Sequence, residues 1–239
     1  MPPPFTLILT WTLQPQTKEN LALSDPFQRT IAHLEGLLAW LQEEDISHIL
    51  ILKNCSAKIQ QESFSKLAAE YNKEIHLFQC SPSNKVKFYG KGYGEGEMLA
   101  QAIEKVQLLS SRPFILKCTG KLFSPSWKSL LHNSTSFWIT PNPNQKNGLL
   151  PYKAFRLPFV YCSLDILRRR LHIPWNFVAC IPPEIIDTRM YWCSLSFYKK
   201  NLLRSYFMVR ESLGLNLEVA FYFHLIQIKN LNFLKSEPV

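Results

Sequence analysis

Four short apolar runs punctuate the first 124 residues: FTLILTWT (5–12), HILILKN (48–54), EIHLFQC (74–80) and PFILKCTGKLF (113–123). Continuous apolar runs of this length are strands buried on both faces, and such strands belong to parallel sheets whose crossovers are helices. The intervening segments supply the helices. Asp25 and Pro26 read as an N-cap and a first helical residue, opening FQRTIAHLEGLLAWLQEE with Ile31, Leu34, Leu38 and Leu41 along one face. Residues 60–71 give a second helix. Three strand, turn, helix units in a row predict an α/β fold built on an open, mainly parallel sheet flanked by helices.

After Ser124 the pattern loosens. Prolines at 125, 141, 143, 151 and 158 predict loops and short strands that cover one sheet edge or form a lid. From about Asp187 the chain reads as helical, with SFYKKNLLRSYFMVRESLG and NLEVAFYFHLIQIKNLNFL as two helices that break at Gly214. No linker or repeat divides the 239 residues, so one domain is expected over 1–239.

Charge narrows the partners. The formal net charge is +9, which favours a phosphorylated substrate, nucleic acid or an acidic membrane surface. The start, MPPPFTLILTW, has no basic n-region and no stretch reaches 18 apolar residues, so a cytosolic protein is expected. Six cysteines, at 55, 80, 118, 162, 180 and 193, show no metal-ligand spacing and read as reduced, buried thiols. The six histidines show no HxH or HxxxH pair, and the densest basic run is RRRLHIPW from Arg168. That run reads as a solvated or membrane-facing loop, or as a contact for a phosphate-rich acceptor.

Half of the eight glycines, at 90, 92, 94 and 96, fall within KFYGKGYGEGEMLAQAIEKVQ. The spacing fits neither a dinucleotide fingerprint nor a kinase loop, and no GK[ST] supports a P-loop. Two readings stay open. Glycines between a strand and a helix let backbone N–H groups approach a phosphate, helped by Lys87 and Lys91, or they form a tight turn before a capped helix. Glu95 and Glu97 are placed in the first turn of that helix.

The ordered blocks DPFQR (25–29), ILILKNCS (49–56), KGYGEGEMLAQAIE (91–104), FILKCTGKLF (114–123), DTRMY (187–191) and LEVAFYFHL (217–225) resemble a group of bacterial GT-A-type glycosyltransferases that build lipopolysaccharide, capsule or related surface glycans. The resemblance spans nearly the whole chain, and its most specific pieces are the KGYGE and K-x-TG-[RK] blocks. Lys53 stands where the pattern usually has an acidic residue, and Lys121 where Arg is frequent. It implies a GT-A-like sheet with C-terminal helices, a nucleotide-sugar-binding half at 1–124 and an acceptor side at 125–239.

Under that resemblance the donor lies at the carboxyl ends of the strands. Thr10, Thr12 and Gln14 follow the first strand, Asn54 and Ser56 the second, and Lys91, Gly92, Tyr93 and Gly94 the third. Lys117, Thr119, Gly120 and Lys121 belong to the fourth. Among carboxylates, Glu95, Asp187 and Glu218 are the candidate catalytic acids or bases, with Arg189 a partner for one of them. The chain has no D-x-D motif, so no cofactor and no divalent metal are expected, and Lys91, Lys117 or Lys121 would stabilise the leaving phosphate. The expected partners are a nucleotide-sugar donor and a glycan or lipid-linked acceptor at the inner membrane, without nucleic acid. Two other classes remain: a nonenzymatic nucleic-acid-binding protein, and a degenerate transferase fold acting as a scaffold.

Overall fold

A computed structural model describes residues 3–13, 23, 25–54, 61–132, 135–141, 184–211, 215–226, 228 and 231–235. Gln14, Ser56, Gly214 and the RRRLHIPW run lie outside the described residues. The strands are β1 (Phe5–Trp11), β2 (His48–Lys53), β3 (Glu74–Gln79), β4 (Phe114–Thr119), β5 (Thr135–Pro141), β6 (Glu184–Ser194) and β7 (Asn232–Lys235). The helices are α1 (Pro26–Leu41), α2 (Gln61–Glu70), α3 (Val86–Tyr89), α4 (Lys91–Lys105), α5 (Leu195–Asn201) and α6 (Leu217–Leu225).

The seven strands form one sheet in the order β3-β2-β1-β4-β6-β5-β7. The first four are parallel and β6 runs antiparallel to both β4 and β5. The expected α/β class and mainly parallel sheet are therefore present. Strand residues of alternate parity serve two cores, since successive side chains point to opposite faces. Leu7, Leu9 and Trp11 pack with Leu37, Trp40 and Phe64 of α1 and α2, whereas Ile8, Leu50 and Leu52 pack with Leu99, Ile103, Phe221 and Tyr198 of α4, α6 and α5. Cys118 on β4 and Cys193 on β6 are buried on opposite faces, and burial pushes both thiols up, Cys118 to about 12.

Three local expectations change. Helix α1 is capped as predicted, with Asp25 accepting from the Gln28 amide at 2.7 Å, but it is rolled about its axis. Ile31, Leu34 and Leu38 are exposed, whereas Leu41, expected on the same face, is buried together with Arg29, His33, Gly36, Leu37 and Trp40. Gly36 permits the close approach of this face: a Cβ there would lie 2.5 Å from the Gly120 carbonyl oxygen at the end of β4.

The glycine segment is not a loop. Helix α4 begins at Lys91, so Gly92, Gly94 and Gly96 are helical and Glu95 and Glu97 lie beyond the first turn. Only Gly90, at φ +102°, occupies the turn, in a conformation that favours glycine. Helical glycine costs about 1 kcal/mol relative to alanine, and packing repays it. A Cβ on Gly96 would overlap the Tyr206 Cβ, one on Gly92 would sit 3.0 Å from the Leu217 Cβ, and one on Gly94 3.1 Å from Val86.

The third change lies near the C-terminus. The DTRMY block is part of the strand β6, not the start of a helical region. The two predicted helices survive as α5 and α6. The first run continues as a 3₁₀ turn at Ser205–Met208, and the second ends in β7.

Candidate functional site

The chain passes from β1 outward to β2 and β3, then returns to β4 on the other side of β1. In an open α/β sheet the crevice at such a reversal, outside the carboxyl ends of the strands, is where ligands bind. Here that crevice lies beyond Thr10 and Trp11 of β1 and Thr119 of β4, which run side by side in register.

Three cations gather at this end. Arg29 of α1 is buried and donates to the Thr12 carbonyl at 2.8 Å and to the Leu23 carbonyl at 2.8 Å. Lys91 opens α4 and is exposed, and Lys121 follows β4 and is exposed. Loss of solvent around Lys121 lowers its ammonium pKa, and the charges of Arg29 and Lys91 lower it further. Mutual repulsion of this kind marks a place where an anion is welcome. Arg29 was not singled out from the sequence, although the DPFQR block contains it.

Behind the crevice is a buried polar row. Lys117 on β4 is fully buried, forms an ion pair with Glu95 of α4, and donates to the Thr188 carbonyl at 2.5 Å and toward the Thr119 hydroxyl at 3.5 Å. Thr10 donates to the same Glu95 oxygen that Lys117 meets, Oε1, at 3.0 Å. The β5–β6 register shifts between Phe137, opposite Tyr191, and Ile139, opposite Ile186, so β6 bulges at Asp187, Thr188, Arg189 and Met190. Bulges re-aim side chains and recur beside functional sites. This one turns Thr188 onto Glu218, with the hydroxyl donating at 3.0 Å, and lets Arg189 grip Asp187 with Nε at 3.0 Å and Nη2 at 2.7 Å. Thr188 is a second participant that the sequence did not flag.

Charge in the row is uneven. Lys117 pairs with Glu95 and Arg189 with Asp187, while Glu218, at the amino end of α6, is held by the Thr188 hydroxyl. Burial raises the Glu218 pKa above the usual carboxylate value and the nearby Glu95 raises it further, against the pull of Thr188 and Lys117. The result is a desolvated carboxyl with a strengthened affinity for a proton.

The structure corrects several donor-side expectations. Lys117 reaches no solvent, because its ammonium is consumed by Glu95 and Thr188. Gly92 and Gly94 face Leu217 and Val86 inside the helix packing, and Tyr93 is buried between Tyr89 and Tyr206. The anion at the amino end of α4 is the protein's own: Glu211 accepts from the Gly92 amide at 2.6 Å. Gly120 is a packing residue too, covered by Trp11 and His33. Thr12, Asn54 and Thr119 are half-buried at the strand ends. Among the described residues no group of three or more His, Cys, Asp or Glu gathers as metal ligands, and no helix is long and apolar enough to cross a membrane.

No family model and no curated protein matches the chain. Solved structures overlap it at low identity, among them the following three. A Bacillus anthracis protein assigned as a glucose-1-phosphate thymidylyltransferase, in complex with a sucrose, covers 98% of this chain and 87% of its own at 10% identity and TM-score 0.49. Core-mannan synthase A from Aspergillus fumigatus, in its Mn/GDP form, covers 96% and 72% at 7% identity and TM-score 0.49. Mouse xyloside xylosyltransferase 1, apo form, covers 96% and 84% at 10% identity and TM-score 0.40. At these identities and TM-scores the likenesses assign no activity to this chain.

Proposed function

We propose that the protein is a glycosyltransferase that moves a sugar from a nucleotide-sugar donor to a growing, lipid-linked bacterial surface glycan. The observation that carries the reading is the meeting of Arg29, Lys91 and Lys121 at the crevice between the carboxyl ends of β1 and β4. A nucleotide sugar presents phosphates, and a crowded cation cluster lowers its own repulsion by binding them. The KGYGE and K-x-TG-K blocks supply the family resemblance. In this mechanism Lys121 and Lys91 face the phosphates and Arg29 fixes the turn after β1. Lys117 holds Glu95 in place, and Glu218 takes the acceptor hydroxyl's proton. Charge neutralisation by lysines, in a chain without D-x-D, makes the reaction metal-independent.

A second reading, a donor-binding scaffold without turnover, is favoured by the internal ion pairs of Glu95 and Asp187. The test is a thermal-shift screen against UDP-, GDP-, CMP- and dTDP-sugars with and without Mn²⁺, since ligands that bind only the native state raise the midpoint. A shift with one nucleotide that is indifferent to metal and lost in Lys121→Glu is the expected result. Donor binding without turnover in any acceptor assay would select the scaffold. No shift, with salt-sensitive RNA or DNA binding instead, would overturn both.

A further inference from the structure

Phe88 on α3 and Phe207 in the 3₁₀ turn are 73% and 49% exposed. A row of rings runs from Tyr89, the residue after Phe88, to Phe207: Tyr89 lies 5.1 Å from Tyr93, Tyr93 lies 5.1 Å from Tyr206, and Tyr206 lies 4.4 Å from Phe207. Arg210 stacks at 3.7 Å over Tyr89 at one end. The two exposed phenylalanines thus stand at the two ends of this row, Phe207 as its last ring and Phe88 as the chain neighbour of Tyr89. Lys85, Lys87 and Arg204 are exposed on the same two segments. The acidic groups near the row are Glu97, which accepts from the Ser83 amide at 2.8 Å, Glu104, and Glu211, which is taken up by the Gly92 amide.

Exposed phenylalanines offer no hydrogen-bonding atom, so a polar partner gains little from them. The headgroup boundary of a bilayer suits them, because rings enter the acyl edge while Lys and Arg stay with the lipid phosphates. The exposed stripe of α1 is the contrast: near Phe27, Ile31, Leu34 and Leu38 in sequence the exposed charges are the acidic Asp25, Glu35 and Glu44, which an anionic surface repels, while Arg29 is turned inward.

We propose that the face carrying Phe88 and Phe207 docks on an anionic lipid bilayer. Gly90 alone separates α3 from Lys91, so docking brings Lys91 beside the headgroups. That a lipid-linked acceptor is met there rests on the transferase reading, but the docking does not.

The experiment is flotation of the full chain with phosphatidylcholine vesicles and with phosphatidylcholine mixed with phosphatidylglycerol, at low and high salt. Wild type is expected to float with the mixed vesicles and to detach as salt rises. The double variant Phe88→Ser/Phe207→Ser is expected to partition about tenfold less or worse, since a buried phenylalanine is worth about 1.5–3 kcal/mol. Lys85→Glu/Lys87→Glu should also detach. Phe27→Ser, which removes an equally exposed ring, should float as wild type. Absence of wild-type flotation, retention by the serine double variant, or loss in Phe27→Ser would each overturn the proposal. Nucleotide-sugar binding without vesicles, measured on the same samples, reports separately on the transferase reading.

Discussion

Replacing Lys117 with Met tests the buried row directly. The side chain is fully buried, and its ammonium answers Glu95 and the Thr188 carbonyl while moderating the burial of Glu218. Methionine keeps the length and removes the charge. Breaking a buried pair by deleting one partner costs about 3–5 kcal/mol, and the lower end applies because Glu95 keeps 23% of its side chain exposed. The loss has a pH signature. Glu218 already has a folded pKa above its ordinary 4.5, so the folded state holds its proton more tightly than the unfolded state does. Stability from such a group is fully present below the unfolded pKa and is lost as pH rises through the folded one. Lys117→Met moves that folded pKa higher, so the variant should be less impaired at pH 5 than at pH 8. Urea unfolding at both values measures this. A cost below about 1 kcal/mol, or one that is the same at both pH values, would refute the picture of a lysine holding two carboxylates together.

Gly96→Ala should destabilise by about 1–3 kcal/mol through overpacking against Tyr206, despite gaining about 1 kcal/mol of helix propensity. Thermal melts check the sign, and a stabilised variant would contradict the close contact. Lys121, whose pKa is lowered, should acylate faster than other exposed lysines at pH 8, and a bound nucleotide diphosphate should protect it; peptide mapping after brief labelling reads both. His33 is buried with its pKa pushed down to about 4. Its contribution is present above the unfolded value near 6.5 and lost as pH falls through 4, worth up to roughly 3 kcal/mol. His33→Phe should flatten the stability difference between pH 7 and pH 4.5, and an unchanged slope would exclude His33 as its source.

Strand identity was legible because β1, β2 and β4 are apolar on both faces, a pattern that local sequence cannot hide. The face of α1 was not, since Arg29 and His33 occupy inward positions and the apolar side chains at 31, 34 and 38 are left outside. No period-based reading anticipates a buried arginine whose partners are the carbonyls of Leu23 and Thr12. The glycines misled for a related reason. Their low helix propensity is a local signal, whereas Tyr206 and Leu217, which demand the missing side chains, come from distant sequence. In the polar row, Glu95, Asp187 and Glu218 were each named as candidates, but their pairing depends on the β6 bulge, which follows from the meeting of β5 and β6. Thr188 was invisible without it.

The two sulfhydryls on opposite faces of the β4–β6 pair make a built-in clock for opening. With their pKa values raised by burial, Cys118 and Cys193 are silent to maleimide in the closed molecule, so each reacts only when its own layer parts. Equal labelling rates would mean that the sheet opens as one cooperative unit, and faster labelling of Cys193 would mean that the α4–α6 layer peels away while the α1–α2 layer stays shut.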